Sequence, residues 1–345
     1  MKKRYIAFIL AISALAFFSL QVKQRAQKLP HIGVVFYSSE DLYLDYVKST
    51  FKKCAQGKAD LDILYSKDQQ LVQNEQIDTL LKDKVSVLML NPVDRSAAGS
   101  TLEKAIKYHI PVVFFNKEPY AEDLKRYPSL AYYVGADARE SGIIEGKIVA
   151  DYWKAHPEAD TNGDGILAYV MLRGQPGHQD TELRSQYSIQ YLNDHGIPTK
   201  KIEDASANWQ REEAQALMTS FINTNSDQIE VVIANNDEMA LGAIEALKTN
   251  GYFREDKYMP VVGVDGTLPA LRAIEDGTLL GTAKNDYREQ GKAAFNLAYI
   301  LSQGITPTEE NIGFTIFDKQ YVHIPYTQID RSNFRIYLGE YASSN

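Results

Sequence analysis

One cysteine, Cys54, is all that 345 residues contain, which excludes an intrachain disulfide and any cysteine-rich metal site. Basic charge is also scarce: 37 Lys and Arg stand against 45 Asp and Glu, a net charge of −8. Nucleic acid needs a basic face to meet its phosphates, so this balance argues against it as a partner. The first expected strand, beginning at His31, runs into FYSSEDLY without a G-x-G-x-x-G loop, and a dinucleotide fold is unsupported. No G-x-S-x-G elbow is present, and no Ser or Cys stands obviously beside a histidine. A glycosidase's paired carboxylates depend on separation in space, so that reading stays open from sequence. No low-complexity run or long Pro/Gly linker divides the chain.

What is present reads as a globular chain of two domains, with 44% hydrophobic and 24% charged residues. Residues 1–22 form a targeting segment. Lys2, Lys3 and Arg4 precede an apolar run from Tyr5 to Leu20, slightly short of the ~18–20 residues that span a bilayer comfortably. Export to the periplasm is the main expectation, with an uncleaved inner-membrane anchor as the alternative. Ala14-Leu15-Ala16 lies inside the run, so the cleavage point is open, and no cysteine follows for lipid attachment. Without the three basic residues of 1–22, the net charge falls from −8 to −11.

From residue 31, short β-rich runs alternate with amphipathic helical patterns, the signature of a parallel sheet covered on both faces. Strands are expected near 31–37, 61–65, 85–90, 111–115, 131–134, 166–172, 229–234, 259–264 and 280–284. Six strand exits then present short polar side chains: Ser38 to Asp41, Asn116, His178 with Asp180, Asn235 to Asp237, Asp265, and Asn285. Asn and Asp cap helices, which accounts for part of this. Open α/β sheets also bind ligands at the carboxyl ends of their strands. A lining of carboxylates and amides suits hydroxyl groups and would repel a phosphate. Tyr43 and Trp209 add aromatic faces, although core packing is the commoner fate of a lone tyrosine in a chain with 22. Cys54 falls in the pattern Val47, Phe51, Cys54 and reads as a small core hydrophobe.

The stretch 160–184, DTNGDGILAYVMLRGQPGHQDTELR, holds two constellations. Asp160, Asn162, Asp164 and Gly165 form a D-x-N-x-D-G loop, the way hard cations such as calcium are wrapped. Position 12 of that loop is Met171 rather than a carboxylate, and an ordinary Asx-rich turn is the competing reading. Past the strand, Asp180 could cap a helix and pair with Arg184 on its surface, or join His178 and Arg184 in a ligand site.

The segments IGVVFYSSEDLY, VVFFNKEP, AYYVGADARESGII, 160–184, EVVIANNDEMALGAIEALK, GVDGTLPAL and GTAKND, in this order, resemble the periplasmic glucose/galactose-binding proteins from His31 to the carboxyl terminus. The resemblance implies a non-enzymatic α/β protein with two Rossmann-like, doubly wound lobes joined by three hinge strands. The lobes would be 28–136 plus 286–322 and 137–285 plus 323–345. It further implies that Asp41 binds a sugar 4-hydroxyl while Tyr43 and Trp209 sandwich the ring. Asn116, His178, Asp180, Arg184, Asn236, Asp265 and Asn285 would bind the other oxygens. Family members usually carry Phe where Tyr43 stands. A structural calcium would be held by Asp160, Asn162, Asp164, the Ile166 carbonyl and Glu230, weakened because Ala168 replaces a family Gln. Implied partners are glucose or galactose, an ABC transporter permease and a chemoreceptor, with the protein a monomer. A membrane-anchored sugar sensor is the alternative. A repressor's ligand-sensing core shares the fold but needs a helix-turn-helix where the export segment stands.

Overall fold

The computed structural model describes residues 29–254 and 257–342; the targeting segment expected at 1–22 lies outside the described residues. Among the described residues no helix is long and apolar enough to cross a membrane. The chain first builds β1 (His31–Phe36), α1 (Leu42–Ala55), β2 (Asp60–Tyr65), α2 (Gln70–Lys82), β3 (Val87–Leu90), α3 (Ala98–Lys107), β4 (Val112–Phe115), the short α4 (Ala121–Lys125) and β5 (Ala131–Gly135). It then builds α5 (Ala138–Ala155), β6 (Leu167–Arg173), α6 (Gln179–Asp194), β7 (Thr199–Ser206), α7 (Arg211–Asn225), β8 (Val231–Ala234), α8 (Asp237–Thr249), β9 (Val261–Asp265), α9 (Leu268–Glu275) and β10 (Gly281–Lys284). It returns through α10 (Tyr287–Ser302), α11 (Glu309–Ile312) and β11 (Tyr321–His323), and ends in β12 (Thr327–Asp330) and α12 (Phe334–Ala342).

The strands form two six-stranded sheets of matching order, β11-β5-β4-β3-β1-β2 and β12-β10-β9-β8-β6-β7. All pairings are parallel except β10 with β12. The chain passes from one sheet to the other three times: between β5 and α5, between β10 and α10, and between β11 and β12. VLML of β3 and VVFF of β4 are buried throughout, as strands covered on both faces must be. In β1, Ile32, Val34 and Phe36 face α1 and α10, while Val35 joins the core under α2 and α3. In β6, Val170 and Leu172 face one core while Leu167, Tyr169 and Met171 face the other. Cys54 is half-buried against the first-lobe core.

Sequence periodicity missed three strands, β7, β11 and β12. β7 is an edge strand whose T-K-K-I-E-D-A-S is half exposed along its length, so it has no apolar run to announce it. β11 and β12 are three and four residues long.

Helices α5 and α6 pack closely because α5 carries glycine at the contact. A Cβ on Gly142 would lie 2.8 Å from the Arg184 carbonyl oxygen, and one on Gly146 2.5 Å from that of Ser188. Between them sits Glu145, fully buried, with neither carboxyl oxygen finding a hydrogen-bond partner among the described residues. Burial pushes its pKa well up, Asp237 and Asp265 push the same way, and Arg184 opposes them. A buried acid without partners is neutral at pH 7. The unfolded chain ionises this group near its ordinary value of about 4.3, so its contribution to stability is complete below that pH and is lost as pH rises toward the folded value. Glu145→Gln keeps the shape and removes the loss. Its melting temperature should overtake wild type progressively from pH 5 to pH 8; a constant difference across that range would mean that Glu145 is not titrating.

Candidate ligand-binding site in the interlobe cleft

Asp41, Tyr43, Asn116, His178, Asp180, Arg184, Trp209, Asn236, Asp265 and Asn285, the polar and aromatic set singled out from sequence, all line one small cavity between the two sheets. Tyr37 is the one lining residue that sequence reasoning missed. Two side-chain hydrogen bonds cross the cleft mouth and record that the lobes are closed on each other. Gln175 Nε2 donates to Asp68 Oδ1 at 3.1 Å, and Gln179 Nε2 to Glu118 Oε2 at 2.9 Å.

Strand exits and helix starts set each side chain. Asp41 caps α1: Oδ1 accepts the Leu44 amide at 3.0 Å, and Oδ2 accepts the Tyr37 hydroxyl at 2.9 Å. Burial raises the Asp41 pKa, and those hydrogen bonds counter the rise. Behind Tyr37 lies Lys117, its Nζ 4.4 Å from the ring centroid and donating to the Val93 carbonyl at 2.9 Å. Burial brings that ammonium down to about 8. Asn116 follows β4 at φ 61°, held by Tyr133 Oη donating to its carbonyl at 2.8 Å and by Asn91 Nδ2 donating to its Oδ1 at 2.8 Å. With Oδ1 taken, the Asn116 amide nitrogen is the group left to donate.

On the second lobe His178, not Asp180, caps α6 by accepting the Asp180 amide on Nδ1 at 3.1 Å. Burial, then Lys117 and Arg184, hold the imidazole well below its ordinary pKa. It is therefore neutral, with Nε2 as the donor, and its 3.8 Å approach to Asp180 is no ion pair. The Asp180/Arg184 pair is buried rather than on the helix surface. Arg184, 3% exposed, donates to the Asn235 carbonyl at 2.6 Å, Asp180 Oδ2 at 2.9 Å and Tyr326 Oη at 3.0 Å. Burial works against the guanidinium charge; Tyr326, Asp180 and Asp265 more than restore it.

Asn236 caps α8 through Oδ1 and donates from Nδ2 to the Trp209 carbonyl at 3.3 Å. Trp209 itself stands at φ 70°, with the His178 ring edge-on at 5.1 Å. Asp265 ends β9 at φ 124°, and burial pushes its pKa well up against the pull of Arg184. The turn that holds it is tied to Asp237, which accepts the Thr267 amide and the Thr282 hydroxyl, each at 2.7 Å, and whose pKa burial pushes up to about 7. Asn285 Oδ1 accepts from Gln290. Three lining residues, Asn116, Trp209 and Asp265, thus hold a backbone conformation that side chains rarely adopt, strain that the surrounding bonds offset. Within this lining, Tyr43 Oη, Arg184 Nε and Trp209 Nε1 have no partner among the described residues. The walls therefore offer carboxylate acceptors, unpaired donors and flat aromatic surface to one uncharged, oxygen-rich ligand.

The chain matches the periplasmic binding protein domain model over residues 32–306. It is 39% identical over 313 residues to the D-galactose/methyl-galactoside binding periplasmic protein of Haemophilus influenzae, covering 90% of this chain and 91% of that protein. The chain belongs to the periplasmic binding proteins. These are non-catalytic solute-binding proteins. The ribose import binding protein of Bacillus subtilis is 29% identical over 235 residues, covering 67% and 68% of the two chains. Among solved structures, a Mycobacterium smegmatis protein in complex with β-D-fucofuranose superposes with TM-score 0.78 at 21% identity, covering 91% of this chain and 96% of that one. A Bacillus halodurans solute-binding protein with bound myo-inositol gives 0.75 at 24% identity, covering 91% and 99%. Both show that this periplasmic binding protein shares their two-lobed fold.

The 160–166 loop lies apart from the cavity, ahead of β6, with Gly163 and Gly165 at φ 71° and 72°. Asp160 accepts the amides of Gly163, Asp164 and Gly165, Asn162 that of Asp164, and Asp164 that of Ile166. Glu230, 2% exposed, arrives from the start of β8 and accepts the Thr161 and Ala168 amides, each at 2.9 Å. Among the described residues no group of three or more His, Cys, Asp or Glu side chains is gathered to hold a metal. The Asx-turn reading is thus realised in the loop's own bonding. An ionised carboxylate offers about four lone-pair sites, so Asp160, Asp164 and Glu230 each keep capacity beyond these bonds, and an oxygen-only donor set fits a hard cation.

Proposed function

We propose that this protein is exported and captures a monosaccharide of the glucose/galactose type in the interlobe cleft, then presents it to the permease of an ABC importer and to a chemoreceptor. The observation that carries the reading is the lining itself. Asp41, Asp180 and Asp265 supply strong acceptors for hydroxyl donors, Arg184 offsets their charge, and Tyr43 and Trp209 supply flat faces for a pyranose ring. The galactose and methyl-galactoside binding of the Haemophilus influenzae relative points the same way. A micromolar complex corresponds to about −8.2 kcal/mol, within reach of two aromatic faces and several charge-assisted hydrogen bonds. Closure around the sugar would be the signal read at the membrane. The test is a titration with D-glucose and D-galactose followed by tryptophan fluorescence and calorimetry. A saturable response is expected from at least one of them; silence toward a panel of monosaccharides would sink the reading.

In the same reading, Asp160, Asn162, Asp164, the Ile166 carbonyl and Glu230 hold a structural calcium ion. Ala168 contributes a methyl group where an oxygen would strengthen the site, so the affinity is modest. Binding to the folded form alone stabilises by RT ln(1 + [L]/Kd), about 2.7 kcal/mol at a hundredfold excess over Kd. Melting in millimolar calcium is therefore expected a few degrees above melting in chelator. Identical curves would assign the loop to turn-making only.

A further inference from the structure

The last helix, α12, is not accounted for by ligand binding. Its sequence FRIYLGEYA places Phe334, Tyr337, Leu338 and Tyr341 at helical spacing on one side. Phe334 is 3% exposed, and the other three pack against the second-lobe core. Tyr341 Oη also donates to the Gly266 carbonyl at 3.1 Å, which fixes it to the lobe that carries Asp265. Its ring nevertheless reaches the first lobe. It lies 5.9 Å from the ring of Tyr46 on α1 and 6.0 Å from that of Tyr287 on α10, themselves 4.9 Å apart. The Arg288 guanidinium carbon sits 5.0 Å from the Tyr287 ring and 5.1 Å from the Tyr341 ring. Arg288 Nη2 donates to the Glu340 carbonyl at 3.1 Å, and Lys284 Nζ stands 3.2 Å from Glu340 Oε2.

We propose that α12 is an interlobe clasp, in which Tyr341, seated on the second lobe, packs its ring at a tilt of 58° against Tyr46 of the first and holds the cleft shut over its ligand. Tyr287 and Arg288 adjoin a crossover between the sheets, and a point near a hinge is displaced least when two lobes rotate apart. Tyr46 is different. It lies one turn along α1 from Tyr43, which lines the cavity, so any motion that withdraws α1 from the ligand also separates Tyr46 from Tyr341. Neither Tyr46 nor Tyr341 lines the cavity. The pair therefore acts on affinity through the closed fraction alone, since apparent Kd equals intrinsic Kd divided by the population competent to bind.

Tyr341→Ala and Tyr46→Ala, in the full chain, should each weaken binding of the responsive sugar about 5- to 10-fold, with release faster and association nearly unchanged. The double variant should lose less than the two single losses combined, because the Tyr46–Tyr341 contact is common to both. Tyr341→Phe keeps the ring, drops the Gly266 bond and should stay within about 2-fold of wild type. A lowered melting temperature with unchanged affinity would mean that Tyr341 only packs its own lobe, and the clasp would be overturned. The clasp rests on the two-lobed geometry, so it is testable apart from the sugar reading. If wild type itself binds no monosaccharide, small-angle scattering of the ligand-free protein decides: a larger radius of gyration in Tyr341→Ala than in wild type supports the clasp, and equal radii overturn it.

Discussion

Arg184→Gln is expected to lose ligand binding by at least about 10²-fold and to destabilise the protein at the same time. Among the described residues, Arg184 is the only Lys or Arg lining a cavity that also contains Asp41, Asp180 and Asp265. Two of its three hydrogen bonds tie α6 to Asn235 after β8 and to Tyr326 at the last crossover, and the third pairs it with Asp180, so one side chain links the site to the hinge. Removing one partner from a buried ion pair strands the other, a loss on the order of 3–5 kcal/mol. In the proposed reading a charge-assisted hydrogen bond from Arg184 to the sugar is lost as well, which adds its own share to the binding deficit. The pH dependence distinguishes this from mere repacking. Arg184 currently draws down the pKa values of Asp180 and Asp265 against the upward push of burial. Without it both acids rise further, and the folded variant binds protons more tightly than folded wild type. By linkage its stability deficit must shrink as pH falls. Chemical denaturation at pH 5 and pH 7 should give the smaller difference at pH 5; a deficit independent of pH would remove the electrostatic account.

The ligand cavity was legible because parallel α/β folding puts every strand exit at one edge of its sheet. A chain that leaves six strands with Asp, Asn or His therefore gathers them, whatever the intervening helices do. The i,i+4 spacing of Asp180 and Arg184 was readable too, but its burial was not: a surface pair and a buried pair have the same sequence. Tyr37 escaped because it continues the apolar run of β1 and is one tyrosine among 22. Its only sequence signal was its position at a strand exit, four residues before Asp41. Tyr326 stands in the short link between β11 and β12, where no apolar run marks an element. The positive φ angles were invisible for a different reason. Asn tolerates such a conformation, but nothing in the residue type forecasts it for Trp209, which is held there by the Asn236 bond to its carbonyl. The loop at 160–166 shows the limit from the other side. Alternating oxygens and two glycines specify a tight Asx-bonded turn and a cation loop equally well, and its own amides satisfy the first reading in full.

Trp209→Ala should remove most of the fluorescence response to ligand and raise Kd about 10²-fold, yet the more informative variant lies opposite it. Gly174 follows β6, and a Cβ there would meet the far edge of the indole, 2.1 Å from both Cη2 and Cζ2 and 2.3 Å from Cζ3. Carbon atoms cannot approach that closely, and the indole has no easy retreat. Its backbone is pinned at φ 70°, its carbonyl is held by Asn236, and the His178 ring stands edge-on to it. Gly174→Ala must therefore push Trp209 toward the cavity or unseat it, losing the flat surface without changing any group proposed to touch ligand. Overpacking of this kind costs about 1–3 kcal/mol of stability, against about 3–5 kcal/mol for emptying the Trp209 site. The two changes share one space, so they cannot add: with the indole gone, alanine at 174 fits where the ring edge was. The double variant should bind no worse, and be no less stable, than Trp209→Ala alone. Additive losses would show that Gly174 serves something other than the seat of the indole, and the Trp209 face would lose its standing as one wall of the ligand site.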